Sequence, residues 1–185
     1  MALSKIDIEN MVTGELTTTN GGTGATSFTT GISSASQWRL NTNFTGDAKP
    51  ITSNWELNDT SGYGSLGSNM TESSGIFTFP STGYYRVTFH HQFSGMVSGS
   101  NSNYVQHAIQ YTADNSSYDD ATEQWGQIFQ NGSYNMATSS KIFDITNTSN
   151  QKVRFSTTSQ GNNIYTQCHS TKNITYATFI KLGAT

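Results

Sequence analysis

The sequence predicts an all-β protein, and composition, hydrophobic periodicity and turn chemistry each favour that fold class. Charged residues make up 11% of the chain, aromatic residues make up 12%, and the formal net charge is -3. A Thr-, Tyr- and Phe-rich chain with little Lys or Glu favours strands over long helices, and its aromatic content argues against disorder. Many short strands joined by polar turns are typical of a β-sandwich, a barrel or a jelly roll.

The first 35 residues differ from the rest and predict an extended arm ahead of one head domain at residues 36–185. They hold few aromatic residues and a glycine-rich stretch at residues 20–24, which cannot lie inside a helix or a central strand. A short apolar stretch precedes these glycines and is too small to form a core, so we expect it to contact another chain. Its members are Leu3, Ile6, Ile8, Met11 and Val12. The alternative is a frayed terminus.

The clearest strand is predicted at residues 84–93, where apolar side chains alternate with polar ones. A turn at residues 80–83 separates it from a strand at residues 76–79. Further strands are predicted at residues 53–57, 104–111, 127–129, 134–145, 152–157 and 174–182. The predicted core comprises Trp55, Phe77, Phe79, Tyr85, Phe89 and Phe179.

The last predicted strand is apolar on both faces, which distinguishes it from the others. One face carries Ile174, Tyr176, Thr178, Ile180 and Leu182, and the opposite face carries Ala177 and Phe179. A strand of this kind is covered on both sides. The sandwich core covers one face, and we expect a neighbouring element, such as another subunit, to cover the other.

From about residue 38 to the end, the chain resembles the jelly rolls of the tumour-necrosis-factor and complement-globular-head superfamily. The resemblance is carried by residues 74–80 (SGIFTFP), 83–89 (GYYRVTF), 141–155 and 176–182 (YATFIKL). The family's L-x-x-G-D-x-V element is replaced here by NQKV at residues 150–153. The resemblance implies a jelly-roll sandwich of about ten antiparallel strands that forms a trimer around a three-fold axis. The implied trimer interface comprises Tyr176, Phe179, Ile180 and Leu182.

The arm resembles connector segments of bacteriophage fibre proteins. Residues 16–26 (LTTTNGGTGAT) match their L-x-x-x-N-G-G-T-G-A-T element, and residues 5–14 are similar to the start of many short phage fibres. This resemblance implies a homotrimer on the virion surface, made in the cytoplasm of a bacterial host. It also implies attachment to other virion proteins through Leu3, Ile6, Ile8, Met11 and Val12.

Charge and hydropathy exclude several classes of partner. Lys and Arg total 9 and are scattered along the chain, so we expect no nucleic-acid partner. No apolar run is long enough to insert into a membrane, and the N-terminus lacks the apolar centre of a secretory signal. The single cysteine, Cys168, cannot form an intrachain disulfide, which suits a reducing cytoplasm.

The densest acidic cluster admits three interpretations. Its members are Asp114, Asp119, Asp120 and Glu123. Their oxygens could bind calcium, or two of them could form the carboxylate pair of a glycosidase. Because the spacing is not that of a calcium loop, we favour a solvated loop at one end of the sandwich.

The histidines and serines do not form a recognisable reactive site. His90 and His91 are neighbours in one predicted strand, so their imidazoles point to opposite faces and cannot chelate one metal. A three-fold axis could still gather three copies of one histidine, which the sequence leaves open. No Gly-X-Ser-X-Gly elbow is present. We expect no catalytic residue, no cofactor and no enzymatic activity.

Aromatic residues beside Gly-, Asn- and Ser-rich segments are candidate ligand contacts, because a ring offers flat apolar area with a polar edge. They are Tyr63, Tyr104, Tyr118, Trp125, Tyr134 and Tyr165, and the alternative for half of them is the core. We predict a trimeric phage surface fibre or spike whose head binds a host receptor or glycan, in the manner of a tail-fibre adhesin. A capsid decoration fibre anchored by the arm is the alternative, and a polysaccharide depolymerase is the weakest interpretation.

Overall fold

The computed structural model describes residues 31–95, 102–161 and 163–185, and these residues form strands and turns. No helix that could cross a membrane is present among them. The arm and its apolar stretch lie outside the described residues, so the predictions about them stay predictions. The described strands are β1 (Ser34–Leu40), β2 (Phe44–Thr45), β3 (Trp55–Leu57), β4 (Thr71–Ser73), β5 (Ile76–Thr78), β6 (Gly83–Ser94), β7 (Ser102–Thr112), β8 (Asp119–Ile128), β9 (Tyr134–Ile145), β10 (Lys152–Ser159), β11 (Tyr165–Thr166) and β12 (Tyr176–Gly183).

The strands form two antiparallel sheets. Sheet I has seven strands in the order β2-β11-β6-β12-β1-β3, with β9 paired along the other side of β6. Sheet II has five strands in the order β4-β5-β10-β7-β8. Consequently β9 is an edge strand of sheet I and β8 is an edge strand of sheet II.

The core lies between the two sheets and is dominated by aromatic side chains. The predicted alternation in β6 is confirmed, since Tyr85, Val87 and Phe89 are fully buried. Across the core the rings of Trp55 and Phe77 meet edge to face, with centroids 5.1 Å apart. Such edge-to-face pairs add to the stabilisation from burial alone. All six residues of the predicted core are buried.

A two-residue turn between β4 and β5 explains one glycine of the motif at residues 74–80. Ser73 pairs with Ile76, and the turn residues Ser74 and Gly75 have φ angles of 51° and 81°. Positive φ at both positions is the geometry of a tight hairpin that follows the twist of its strands. A Cβ on Gly75 would lie 2.2 Å from the carbonyl oxygen of Ile51, so no other residue fits here.

Two predicted boundaries differ from the structure. Strand β1 begins at Ser34, two residues before the predicted start of the head at residue 36. Strand β8 includes Asp119, Asp120 and Glu123, which were expected to lie in a loop. The predicted strand at residues 127–129 overlaps only the last two residues of β8. The register between β7 and β8 shifts between Ile109 and Gln110. Such a bulge breaks the period-two pattern from which strands are recognised.

Candidate functional sites

The face of sheet I that points away from the core leaves large apolar side chains exposed. Tyr84 on β6, Ile142 on β9 and Met136 on β9 are 41%, 58% and 67% exposed. The register places Ile142 opposite Arg86, and Arg86 opposite Ile180 on β12. Exposed apolar side chains are typical of an association surface where they form a patch, and Tyr84 and Ile142 are diagonal neighbours at one end of this face. Met136 lies towards the other end of β9.

The middle of this face is polar, and its groups are paired within the chain. The amide of Gln37 donates a hydrogen bond to the hydroxyl of Thr178 at 3.0 Å. The hydroxyls of Thr88 and Ser140 lie 3.0 Å apart, and Nε of Arg86 donates to the same Ser140 oxygen at 3.2 Å. The hydrogen bonds of Gln37, Thr178, Thr88 and Ser140 remain intact when a partner covers this face, which avoids the main penalty for burying polar atoms. The guanidinium of Arg86 has further N–H donors that such a partner must satisfy.

The four residues of the predicted trimer interface divide between the two faces of sheet I. Tyr176 and Ile180 are half-buried on the outer face, and Leu182 is exposed near the end of β12. Phe179 lies in the core, where its ring centroid is 5.1 Å from that of Phe77, so its assignment to the interface is wrong. Strand alternation turns it inward. The ring of Tyr176 stacks on His90 with centroids 4.5 Å apart, so the chain itself covers part of the outer face.

The structure brings together two of the six aromatic residues that were predicted to contact a ligand. The rings of Tyr104 on β7 and Trp125 on β8 meet edge to face, with centroids 5.2 Å apart. Both rings lie on the outer face of sheet II, because the intervening register position, Val105 opposite Gly126, faces the core. Phe129 follows β8 and is 79% exposed beside the same cleft. Phe129 was not among the aromatic residues predicted to contact a ligand.

The other four predicted aromatic residues do not join this pair. Tyr63 lines a separate cavity. The ring of Tyr118 lies beneath the guanidinium of Arg154, whose central carbon is 3.9 Å from the ring centroid. Tyr134 and Tyr165 lie on β9 and β11. The predicted loop surface is therefore not one site.

The aromatic pair lines an open cleft of about 500 Å³ beside the edge strands β8 and β9. Asn135 on β9 bridges the two edges, because its side-chain amide donates to the carbonyl of Gln127 on β8 at 3.0 Å. Gly126 also lines the cleft, and a Cβ there would lie 2.5 Å from Cζ of the core residue Phe93. Asn103 completes the lining, and none of the seven lining residues carries a charge.

The predicted acidic cluster does not converge on one point. Asp120 accepts a hydrogen bond from Nζ of Lys49 at 2.9 Å. Asp114 accepts hydrogen bonds from the backbone N–H groups of Ser117 and Ser116, which hold the pKa of its carboxyl below the usual range. Among the described residues, no group of three or more His, Cys, Asp or Glu side chains is placed to hold a metal ion.

Two histidines from opposite sheets form a buried pair. The ring centroids of His91 on β6 and His107 on β7 are 5.8 Å apart, and both side chains are fully buried. His91 has a hydrogen bond to the hydroxyl of Thr166 at 3.1 Å, whereas neither ring nitrogen of His107 has a partner in the described part of the chain. Burial lowers the pKa of His91 to about 3 and that of His107 to about 4, so both rings are neutral at pH 7. His90 points to the opposite face of β6, as predicted.

Comparison with known proteins identifies the fold. No family model and no curated protein matches the chain. Among solved structures, murine APRIL at pH 5.0 superposes with a TM-score of 0.58 at 11% sequence identity, covering 80% of this chain and 98% of APRIL. The fold is a TNF-like jelly roll. The structure of Eiger TNF from S. frugiperda agrees, with a TM-score of 0.59, 14% identity, and coverage of 84% of this chain and 94% of that protein.

Likeness at this level of identity establishes the TNF-like architecture and nothing about activity. It accounts for the motif residues from which the fold was predicted. Phe77 and Tyr85 are core residues, and a Cβ on Gly83 would lie 2.4 Å from the carbonyl oxygen of Gly183. The resemblance of the arm to phage fibre connectors stays a prediction.

Proposed function

We propose that the protein is a homotrimeric surface fibre or spike of a bacteriophage particle, whose TNF-like head binds a receptor or glycan on the host cell. The observation that carries this proposal is the outer face of sheet I, with exposed apolar side chains around hydrogen-bonded polar groups. The connector-like residues 16–26 support the placement on a phage particle. The separate partners of Asp114 and Asp120 support a binding role over a glycosidase role.

A closed three-fold ring suits this face better than an open chain of subunits does. Each copy presents the same apolar side chains, and a ring covers them without leaving a free end from which a filament grows. Three heads per spike, and many spikes per particle, raise avidity by roughly 10² to 10⁴ over a single contact. Weak binding by one head is therefore sufficient for adhesion.

Sedimentation of the purified chain tests the trimer, and Ile142→Lys is the decisive variant. Ile142 lies opposite Arg86, so an ammonium group at this exposed position on β9 would be buried by the neighbouring copy beside a like charge. We expect a trimer for the unaltered chain and at least a tenfold weaker association for the variant. Ile76→Lys is the matched control, because Ile76 lies opposite Arg154 on the outer face of sheet II. A monomer at micromolar concentration, or equal losses in both variants, contradicts the proposal.

The role on the particle is tested by removing residues 1–31, which ends the deletion before β1 begins at Ser34. We expect the shortened chain to fold and form a trimer but to be absent from purified particles. Phage that carry the deletion should adsorb poorly to host cells if the head is an adhesin. Unchanged adsorption together with loss of the protein from the capsid would favour the decoration role instead.

A further inference from the structure

We propose that the cleft lined by Tyr104, Trp125 and Phe129 binds an uncharged oligosaccharide. The inference rests on the proposed function, since it names the ligand class that the head would recognise. A sugar ring has an apolar C–H face and a rim of hydroxyl groups. The cleft offers both kinds of complement, because it combines aromatic rings with the side-chain amides of Asn103 and Gln127.

The aromatic side chains supply the apolar half of this complement. Trp125 and Tyr104 are held edge to face, so their geometry is fixed before a ligand arrives. Trp125 is 55% exposed and Phe129 is 79% exposed. Contact between water and neighbouring large apolar rings is unfavourable, and a ligand that covers them removes it. Pre-positioned aromatic rings lose little entropy on binding, which favours weak but selective contacts.

Charge selects among sugar classes. Acidic sugars and phosphate-bearing polymers are bound through Arg or Lys, and neither residue type lines this cleft. The nearest acidic residue along β8 is Glu123, which is bonded to Gln106 and lies two residues before Trp125. A carboxylate there disfavours an anionic ligand further. Among sugars, the class that fits this cleft is therefore the neutral oligosaccharide.

Location and size fit a ligand that is not part of the spike itself. Trp125 lies on the outer face of sheet II, whereas the proposed subunit contact uses the outer face of sheet I. The cleft volume of about 500 Å³ falls within the range of roughly 300 to 1,000 Å³ that is usual for small-molecule sites. Asn135 ties the two sheet edges together at this point, so the cleft walls are held in place.

Tryptophan fluorescence tests the inference, because Trp125 is the exposed tryptophan while Trp38 is half-buried and Trp55 is buried. The full chain is titrated with neutral oligosaccharides of three to six residues built from glucose, galactose, mannose or N-acetylglucosamine. Carboxylated and phosphorylated oligosaccharides of the same length form the second arm. We expect at least one neutral oligosaccharide to change the emission with a dissociation constant in the millimolar range or tighter, and the charged ones to bind at least tenfold more weakly.

Variants locate the binding, with calorimetry as the readout where tryptophan is removed. Trp125→Ala should weaken binding at least tenfold, Trp125→Phe should retain part of it, and Tyr63→Ala should leave it unchanged as the matched control. No binding by any neutral oligosaccharide, tighter binding of charged ones, or an unaffected Trp125→Ala overturns the inference.

Sedimentation of the same samples separates this inference from the proposed function. A trimer that binds no neutral sugar overturns the sugar site alone, whereas a monomer that binds one overturns the trimer alone. A Trp125→Ala variant that loses association and not sugar binding would place a second copy of the chain in the cleft and overturn the inference.

Discussion

The outer faces of the two sheets differ in how their polar side chains are paired and in where they expose apolar side chains. On sheet II the polar side chains form a connected ladder within one chain. Arg154 donates to Gln110 at 2.8 Å, Gln110 donates to Asp120 at 2.7 Å, and Lys49 donates to the same carboxylate at 2.9 Å. The ring of Tyr118 closes the ladder beneath Arg154. The polar part of this face is therefore paired within a single subunit, and its exposed aromatic side chains are confined to the cleft beside β8.

Sheet I is different because its hydrogen-bonded centre is surrounded by apolar side chains that the chain leaves exposed. Ile142 and Met136 on β9 are more than half exposed, although sequence alternation would permit polar residues at both positions. The contrast teaches that the two faces differ in the exposed apolar side chains around their polar groups and not in whether those groups are paired within the chain. Variants on each face, and first in the pair of histidines that joins the two sheets, test this difference.

Acidification should produce the largest effect, because His91 and His107 come from opposite sheets and meet in the core. Burial lowers both pKa values, to about 3 and about 4, whereas the unfolded chain titrates near 6.5. The unfolded state therefore binds more protons below pH 6.5, and stability is full above that pH and falls as the pH drops. At pH 5 each ring should cost about 2 kcal/mol, or about 4 kcal/mol together.

Urea unfolding between pH 7.5 and pH 5 measures this loss in the free energy of unfolding. His107→Leu should reduce the slope of the free energy of unfolding against pH to about half, because one titrating ring is removed and a neutral side chain of similar size takes its place. An unchanged slope in the variant, or a free energy of unfolding that is independent of pH, would contradict the attribution of acid sensitivity to the buried pair of histidines.

Arg39→Met should have the next largest effect and tests the ion pair between β1 and the edge strand β3 of sheet I. Arg39 is 1% exposed on the outer side of β1, where its guanidinium contacts Glu56 at 2.9 Å and Asp59 at 2.6 Å. Removing the cation leaves Glu56 half-buried without its partner, so we expect a loss of about 3 kcal/mol. Lys172→Met, at an exposed position in the turn before β12, is the control and should cost below about 1 kcal/mol in urea unfolding.

Arg154→Met tests the ladder on sheet II. It removes the hydrogen bond to Gln110 and the cation–π contact with Tyr118, so we expect a loss of about 1 to 2 kcal/mol in thermal or urea unfolding. Sedimentation of this variant should match that of the unaltered chain. Weaker association would mean that sheet II also takes part in subunit contact, and the difference between the faces would be lost.

Lys49→Met should have the smallest effect. The Lys49–Asp120 pair is partly exposed, and such pairs contribute about 0.5 kcal/mol or less after screening by salt and solvent. A double-mutant cycle with Asp120→Asn in low and high salt measures the coupling. A coupling above about 1 kcal/mol would show that the ladder acts as a cooperative network and not as separate pairs.

The fold was predictable because its strongest strand follows a simple rule. The alternation in residues 84–93 determined which side chains of β6 enter the core. The turn at residues 80–83 located the end of the preceding strand, β5, which lies in the other sheet. Strand β8 was missed because an edge strand with one solvated face can carry Asp119, Asp120 and Glu123. Its register with β7 is also interrupted by a bulge, which no local pattern reveals.

The candidate cleft was predictable only in part. Tyr104 and Trp125 were named from their polar neighbourhoods, but their meeting depends on the register of two strands that a turn separates. No local sequence pattern marks Phe129 or Asn135 as part of the cleft. Phe129 lies just after the end of β8, and Asn135 contributes through a hydrogen bond to the carbonyl of Gln127 in the other sheet. Long-range pairing of this kind is set by the whole sandwich.

The ring of Phe93 presses against Gly126 from inside the sandwich, so the cleft shares a wall with the core. Side chains at the rim of the cleft, such as the exposed Phe129, can therefore be exchanged without disturbing the core, whereas the wall at Gly126 tolerates little change. A larger residue at position 126 would have to displace an aromatic ring from a close-packed interior. A head built this way can change what it recognises by exchanging a few peripheral side chains while its framework stays constant.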